Sequence, residues 1–268
     1  MTIITPARLI EESHAVRGFP IKAVKTICDV HMLENHAEVK NYDSDNITEW
    51  LKPICDLSSF KNRYPLNGIT EGLNYWLWQE KRSIEVRDGE YGWVQGNKTG
   101  EVIYWSYPFA GDGNFYDIPT HKPVILDLAY CGSTQVKKIE IPDNVEIVFF
   151  GLSKCFGLQN YRIGYMWSKK KIDYLDPLIN WAKYYNYYAV SLGDALINNT
   201  SVDLVYNTLR PYQTEICNKL NLIASDTVWL ATSSDSVYDS MKRGKTNRLC
   251  LTNFMKDLYY EKVVGKHR

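Results

Sequence analysis

Apolar residues divide the chain into helical and strand-like stretches. Residues 5–36 mix helical periodicity with charges, and residues 37–50 are polar (Asn41, Asp43, Ser44, Asp45, Asn46), a loop that caps a short helix near residues 48–51. The turn-rich run Tyr64-Pro65-Leu66-Asn67-Gly68 precedes a predicted helix over 70–82, where Leu73, Trp76 and Leu77 fall at i, i+3 and i+4 on one face. Short β-like runs at 84–86, 92–94 and 102–107 alternate with turns. Residues 123–128 and 145–150 are nearly continuous in apolar residues, as strands buried on both faces must be. Residues 161–167 make a third such strand. From about residue 180 the pattern turns helical (181–196, then 202–224), and a short strand pair near 228–231 and 248–252 closes the chain. Helices alternating with buried strands predict an α/β class with a mostly parallel central sheet.

Composition narrows the function. The 268 residues carry 31 Lys plus Arg against 31 Asp plus Glu, so no net field calls for nucleic acid or an anionic membrane. The longest basic run, Lys169-Lys170-Lys171, follows a strand and reads as a solvated turn. The six cysteines show no C-x-x-C spacing, which argues against a zinc site or a disulfide framework and for reduced thiols in a cytoplasmic protein. The first residues lack a basic region followed by a long apolar one, and no apolar run approaches the ~20 residues that span a bilayer. The histidines (14, 31, 36, 121, 267) form no catalytic or metal set, and no G-x-S-x-G elbow supports a hydrolase. Tyrosine is abundant at 20 residues, which suits a groove or an interface.

The chemistry concentrates between residues 127 and 164. Asp127-Leu128-Ala129-Tyr130, Ser153-Lys154 and Arg162-Ile163-Gly164 follow one another, each beside an apolar run. Ligands of open α/β sheets collect at the carboxyl ends of strands, so Asp127 and Lys154 meet in one cleft. Together the three segments resemble the cofactor-binding core of the aspartate aminotransferase superfamily, the fold-type I pyridoxal-phosphate (PLP) enzymes. The resemblance implies that Lys154 forms the Schiff base with pyridoxal 5'-phosphate and later shuttles the Cα proton. It implies that Asp127 partners the pyridine nitrogen, that Tyr130 bonds the phenolic oxygen, and that Ser153 and Arg162 bind the phosphate. Asn67-Gly68-Ile69-Thr70-Glu71-Gly72 opens a helix, whose N-terminus favours an anion, and by resemblance Gly68, Ile69 and Thr70 hold the same phosphate. Tyr91, ahead of Trp93, is the aromatic ring expected over the cofactor. Arg248, in Asn247-Arg248-Leu249-Cys250-Leu251, resembles the arginine that clamps the substrate carboxylate with its planar fork. A second basic residue for an acidic side chain has three candidates, Arg63, Arg82 and Arg243.

The pattern also departs from the family. Relatives carry an N-P-x-N-P-x-G turn whose second Asn bonds the phenolic oxygen; here Ala110 holds that place, with Asn114 nearby as a substitute. The chain is shorter than usual members, partly between Gly113 and Asp127. The expected organisation is an N-terminal segment over 1–55, a large PLP-binding domain over 56–180 and a small C-terminal domain over 181–268. Relatives commonly form homodimers in which a neighbouring chain lends a tyrosine to the phosphate, and Tyr64 and Tyr42 are the candidates here. Cys155, next to the lysine, is expected to pack rather than react. The resemblance implies an aminotransferase acting on an α-amino acid and a 2-oxo acid. The alternatives are another PLP reaction (lyase, decarboxylase or racemase) and a degenerate homologue without turnover.

Overall fold

The structure is a computed structural model that describes residues 4–13, 15–33, 44–263 and 265; Tyr42, three of the five histidines (14, 36 and 267) and residues 37–43 of the polar 37–50 segment lie outside them. The chain runs through α1 (Pro6–Glu12), α2 (Lys22–Leu33), α3 (Ser44–Leu51), β1 (Asn62–Leu66), α4 (Ile69–Glu80), β2 (Ile84–Glu85), β3 (Val102–Ser106) and β4 (Val124–Asp127). Next come β5 (Val145–Gly151), a one-turn helix α5 (Leu152–Cys155), β6 (Gly164–Ser168), α6 (Tyr187–Asn199) and α7 (Leu204–Leu220). The last elements are β7 (Ile223–Ala224), β8 (Leu230–Ser233), β9 (Lys242–Arg243), β10 (Thr246–Cys250) and α8 (Thr252–Val263).

Six strands form the main sheet in the order β1-β6-β5-β4-β3-β2. Strands β2 to β5 are mutually parallel, whereas β6 runs antiparallel to β5 and β1 antiparallel to β6. The sheet is mostly parallel, as expected, with an antiparallel pair closing one edge. Side-chain alternation sorts its core onto two faces. Val124, Leu126, Val148 and Phe150 pack with the N- and C-terminal helices, while Tyr104, Ile125, Ile147 and Phe149 pack under α4 with Leu73 and Trp76. The second sheet has four antiparallel strands in the order β7-β8-β10-β9.

Several elements differ from the periodicity reading. Residues 92–94 form a turn, in which the Val94 amide donates to the Tyr91 carbonyl (3.0 Å), because no neighbouring strand reaches them. The helix predicted over 181–196 is split. A single π-helical turn ends at Trp181, and α6 starts only where Asn186 caps it by accepting from the Ala189 amide (3.0 Å). Helix α4 stops at Glu80 because Lys81 adopts the left-handed conformation (φ 53°) and returns its amide to the Leu77 carbonyl. The closing strand pair is the middle of a four-stranded sheet, since the two-residue strands β7 and β9 are too short to leave a pattern.

A buried polar knot joins the two sheets. The Glu90 carboxylate accepts from Arg87 Nε (3.1 Å) and from the Ser106 hydroxyl, and Arg87 Cζ lies over the rings of Trp105 and Phe109, 3.5 and 3.7 Å from their centroids. From the second sheet Arg243 donates to the Gly89 carbonyl (2.9 Å) and the Glu90 carbonyl (2.8 Å). A Cβ on Gly244 would stand 2.9 Å from the Asp88 carbonyl, so the turns at 89 and 244 approach as only glycine allows.

Two stability outcomes follow from this packing. A Cβ on Gly72 of α4 would meet Leu66 Cδ1 at 2.4 Å and Phe149 Cε1 at 2.8 Å, both in the core. Gly72→Val is therefore expected to destabilise the fold by about 1–3 kcal/mol through overpacking, measured by urea unfolding. Arg87→Met strands the Glu90 carboxylate without its cation, and a loss of about 3 kcal/mol is expected in the same assay. An unchanged denaturation midpoint in that variant would mean the pair is not holding the knot.

Candidate active site

The parallel strands deliver their carboxyl ends to one edge of the sheet, and the chemistry sits there. Strand β4 ends in Asp127, which is 4% exposed. One of its oxygens, Oδ1, accepts from the Ala129 amide (2.7 Å), and the other, Oδ2, accepts from the Tyr104 hydroxyl. Burial pushes the Asp127 carboxyl above the ordinary carboxylate range, against the pull of the Lys154 charge and these two donors.

The next strand, β5, runs into Gly151 and then α5, which carries Ser153 and Lys154. The α5 turn is anchored by Trp229, whose indole N–H donates to the Lys154 carbonyl (2.8 Å). Lys154 Nζ lies 4.1 Å from the centroid of the Tyr130 ring and 5.1 Å from that of Tyr91. Burial is the largest single influence on this amine and lowers its pKa. Tyr130, Asp127 and Tyr91 together outweigh it, so Lys154 stays above the usual lysine range. Of the two aromatic candidates, Tyr91 faces the lysine, whereas Trp93 is 74% exposed.

Across the cleft, α4 begins at Gly68 (φ 86°), where no side chain caps the helix. Arg162 precedes β6 in the left-handed region (φ 57°), and its Nη2 donates to the Asn67 carbonyl (3.0 Å). A Cβ on Gly68 would fall 2.4 Å from that nitrogen, and one on Gly164 would fall 2.7 Å from Gly68 Cα. Two glycines thus let a guanidinium, a helix N-terminus and the start of β6 come together, with the amides of Ile69 and Thr70 in the first turn. Glu71 also sits here, accepting from the Asn67 amide (2.6 Å). An uncapped helix end beside an arginine suits a phosphate; a half-buried lysine amine suits an aldehyde; a buried carboxylate suits a basic ring nitrogen. The donor set fits PLP.

Arg248 reaches the region from β10. It is 7% exposed; its Nη1 donates to the Ala110 carbonyl (3.1 Å), while its Nε is buried with no partner, a donor awaiting an acceptor. Arg243 lies close enough that the Arg248 charge adds to burial in lowering its pKa. The other two arginine candidates are engaged elsewhere, Arg63 with Asp45 and Arg82 with Glu146.

At the position where relatives have asparagine, Ala110 is held through its backbone: its amide donates to the Ser106 hydroxyl (2.8 Å) and its carbonyl accepts from Arg248. Asn114 does not stand in for that asparagine. Its Oδ1 accepts from the Asp226 amide (3.1 Å), which turns the side chain to the 226 turn. Tyr64 is not available to a second chain either, since it is fully buried and its hydroxyl donates to Asp176 (3.3 Å). Cys155 is a packing residue: its Sγ fills the place where a Cβ on Gly132 would come within 2.3 Å. A surface cavity of about 480 Å³ beside Asn67 and Glu71, lined by Tyr75, Leu178 and Tyr184 among others, includes none of Asp127, Lys154 and Arg248.

Tyr104, Arg87 and Glu90 escaped the motif reading. Arg87 and Glu90 pair within one turn but take Ser106 of β3 as a further partner, and Tyr104 acts across strands; only the register of β3 on β4, with Tyr104 opposite Ile125 and Ser106 opposite Asp127, brings the tyrosine to the carboxylate.

No protein-family model matches the chain, and no curated protein matches it in sequence. Solved structures do match in fold. A PLP-bound C-S lyase from Staphylococcus hominis is similar over 94% of this chain and 90% of its own, with a TM-score of 0.65 at 10% identity. A variant of aspartate aminotransferase from Thermus thermophilus is similar over 97% and 98% (TM-score 0.62, 12% identity). L-threonine-O-3-phosphate decarboxylase from Porphyromonas gingivalis is similar over 95% and 99% (TM-score 0.57, 12% identity). With β4 and β5 presenting Asp127 and Lys154 at one sheet edge, the chain has the fold of the fold-type I PLP-dependent enzymes.

Proposed function

We propose that this chain is a PLP-dependent aminotransferase that moves an amino group between an α-amino acid and a 2-oxo acid. The observation that carries the reading is the placement of the buried Asp127 at the end of β4 and the half-buried Lys154 in the turn just past β5, its parallel neighbour, close enough for the lysine charge to act on the carboxylate. PLP-bound structures among those of the same fold support the cofactor. When bound, PLP supplies an electron-withdrawing ring that stabilises the charge left when a bond to the substrate Cα breaks.

The chain's own residues divide the remaining work. Gly68, Ile69, Thr70, Ser153 and Arg162 hold the phosphate. Asp127 keeps a proton on the ring nitrogen, and Tyr130 bonds the phenolic oxygen without help from an asparagine at 110. Tyr91 covers the ring. Lys154 would be the point of attachment for the cofactor aldehyde, and its Nζ would hold the proton taken from the substrate Cα and return it. Arg248 offers the substrate carboxylate its unpartnered Nε. A homodimer is the assembly we propose from the resemblance, and the cytosol the compartment, since all six cysteines are free thiols. Among the described residues no helix is long and apolar enough to cross a membrane. The competing reading is a different reaction on the same cofactor. It is favoured by the lyase and decarboxylase among the fold neighbours and by Ala110, which changes the surroundings of the phenolic oxygen.

The first test is the absorbance of the purified protein with PLP. Wild type is expected to develop a band at the violet edge of the visible, and Lys154→Ala to lack it; no band in wild type sinks the cofactor assignment. Because Lys154 sits above the usual lysine range, its neutral fraction is small at neutral pH. The rate of PLP capture is therefore expected to climb as pH rises from neutral to alkaline, followed by stopped-flow absorbance. Labelled 2-oxoglutarate incubated with a panel of amino acids is expected to yield labelled glutamate, and its absence throughout the panel argues for the competing reaction. Arg248→Lys, which loses the fork, is expected to raise KM on the order of tenfold or more with a smaller change in kcat.

A further inference from the structure

The hydrogen bond between Tyr104 and Asp127 reaches beyond the residues assigned so far. Tyr104 stands on β3 opposite Ile125 of β4, so Asp127, two residues further along, shares its face of the sheet. The tyrosine is fully buried (0% exposed) among Ile125, Phe149 and Trp76, and its hydroxyl is spent on Asp127 Oδ2. The second oxygen of the carboxylate takes the Ala129 amide at 2.7 Å. Each oxygen thus has one protein donor and keeps a lone pair for a third group in the cleft.

We infer that Tyr104 is a positioning residue for Asp127: its donated proton holds the carboxylate ionised and oriented, so that the proton shared with a ring nitrogen stays on the nitrogen. The inference rests on the PLP reading for its consequence, but the Tyr104–Asp127 interaction belongs to the protein alone. Among the described residues, the charged and titratable groups around Asp127 are Lys154 from α5, Glu90 from the 87–90 turn, Tyr104 from β3 and Cys131 just beyond β4. Lys154 favours the ionised carboxylate; Glu90 and burial oppose it. Within that balance a single charge-assisted donor decides where the proton rests. Removing the hydroxyl raises the basicity of Asp127, and one proton passes from ring nitrogen to carboxylate oxygen: the N–H bond breaks, an O–H bond forms, and both charges vanish together. A neutral pyridine is a weaker electron sink than a pyridinium.

The test begins on the full-length protein without cofactor. The Asp127 carboxyl carbon is followed by ¹³C NMR through a pH titration, with Asp127→Asn identifying the signal. Tyr104→Phe keeps the ring and loses the donor, and is expected to move the Asp127 midpoint up by about one pH unit or more. Fluorotyrosine introduced at position 104 alone, a stronger donor of nearly the same size, is expected to move it down; this second variant decides the matter should Tyr104→Phe fold poorly. Protein loaded with ¹⁵N-labelled PLP gives the functional readout. The ring-nitrogen resonance is expected at the pyridinium position in wild type and displaced towards neutral pyridine in Tyr104→Phe. Midpoints that do not move in either variant overturn the inference. Failure of wild type to take up PLP overturns the function proposed above, while the cofactor-free titration still decides the role of Tyr104.

Discussion

The molecule turns on keeping a carboxylate out of water within the field of a half-buried ammonium. A lone buried carboxylate costs several kcal/mol, so Asp127 depends on the Lys154 charge and on donors to both of its oxygens. Parallel pairing of β4 with β5 solves the placement, because neighbouring parallel strands end on the same side and hand both residues to one cleft. The surrounding features serve that pair. Tyr104 and the Ala129 amide steady the acid, Tyr130 and Tyr91 enclose the base, and Trp229 fixes the turn that carries it. Glycines at 68 and 164 then leave room for Arg162 at the far wall.

What the sequence made legible was what acts locally. The apolar runs at 123–128 and 145–150 are legible as buried strands because both of their faces are covered, and a charged residue stands out near the end of the first (Asp127) and soon after the second (Lys154). The Arg-Ile-Gly segment stood out through its likeness to the family's pattern, and the turn at Asn67-Gly68 through glycine at the start of a helical stripe. Arg248 was visible only by likeness to a known strand, since a lone arginine in a short strand carries no signal of its own. What stayed hidden depends on contacts between segments distant in sequence. Nothing near residue 104 reveals a buried tyrosine on a carboxylate 23 positions away, and the Arg87–Glu90 pair looks like surface charge until Trp105 and Phe109 close on it. The antiparallel turn of β6 against β5 was equally silent, because an apolar run has no direction.

The two sheets are tied at a point that matters electrostatically. Arg243 and Arg248 bring two guanidiniums from the small sheet towards a cleft that already holds Lys154, and Glu90 stands beneath them as a buried counter-charge. The Arg243 contacts fall on the carbonyls of Gly89 and Glu90, immediately before Tyr91. The small sheet shares one apolar core with the main sheet, and its bonds to the main chain at 89 and 90 add a polar tie next to the ring beside the lysine.

Residue 110 illustrates a different economy. Its amide and carbonyl do the structural work, on Ser106 and Arg248, while the methyl group contributes no hydrogen bond. Loop shape at this site is therefore held by main-chain bonds, and a substitution leaves both of them in place. Its effect falls instead on the closed space around the buried methyl group, where any larger side chain must find room in the core.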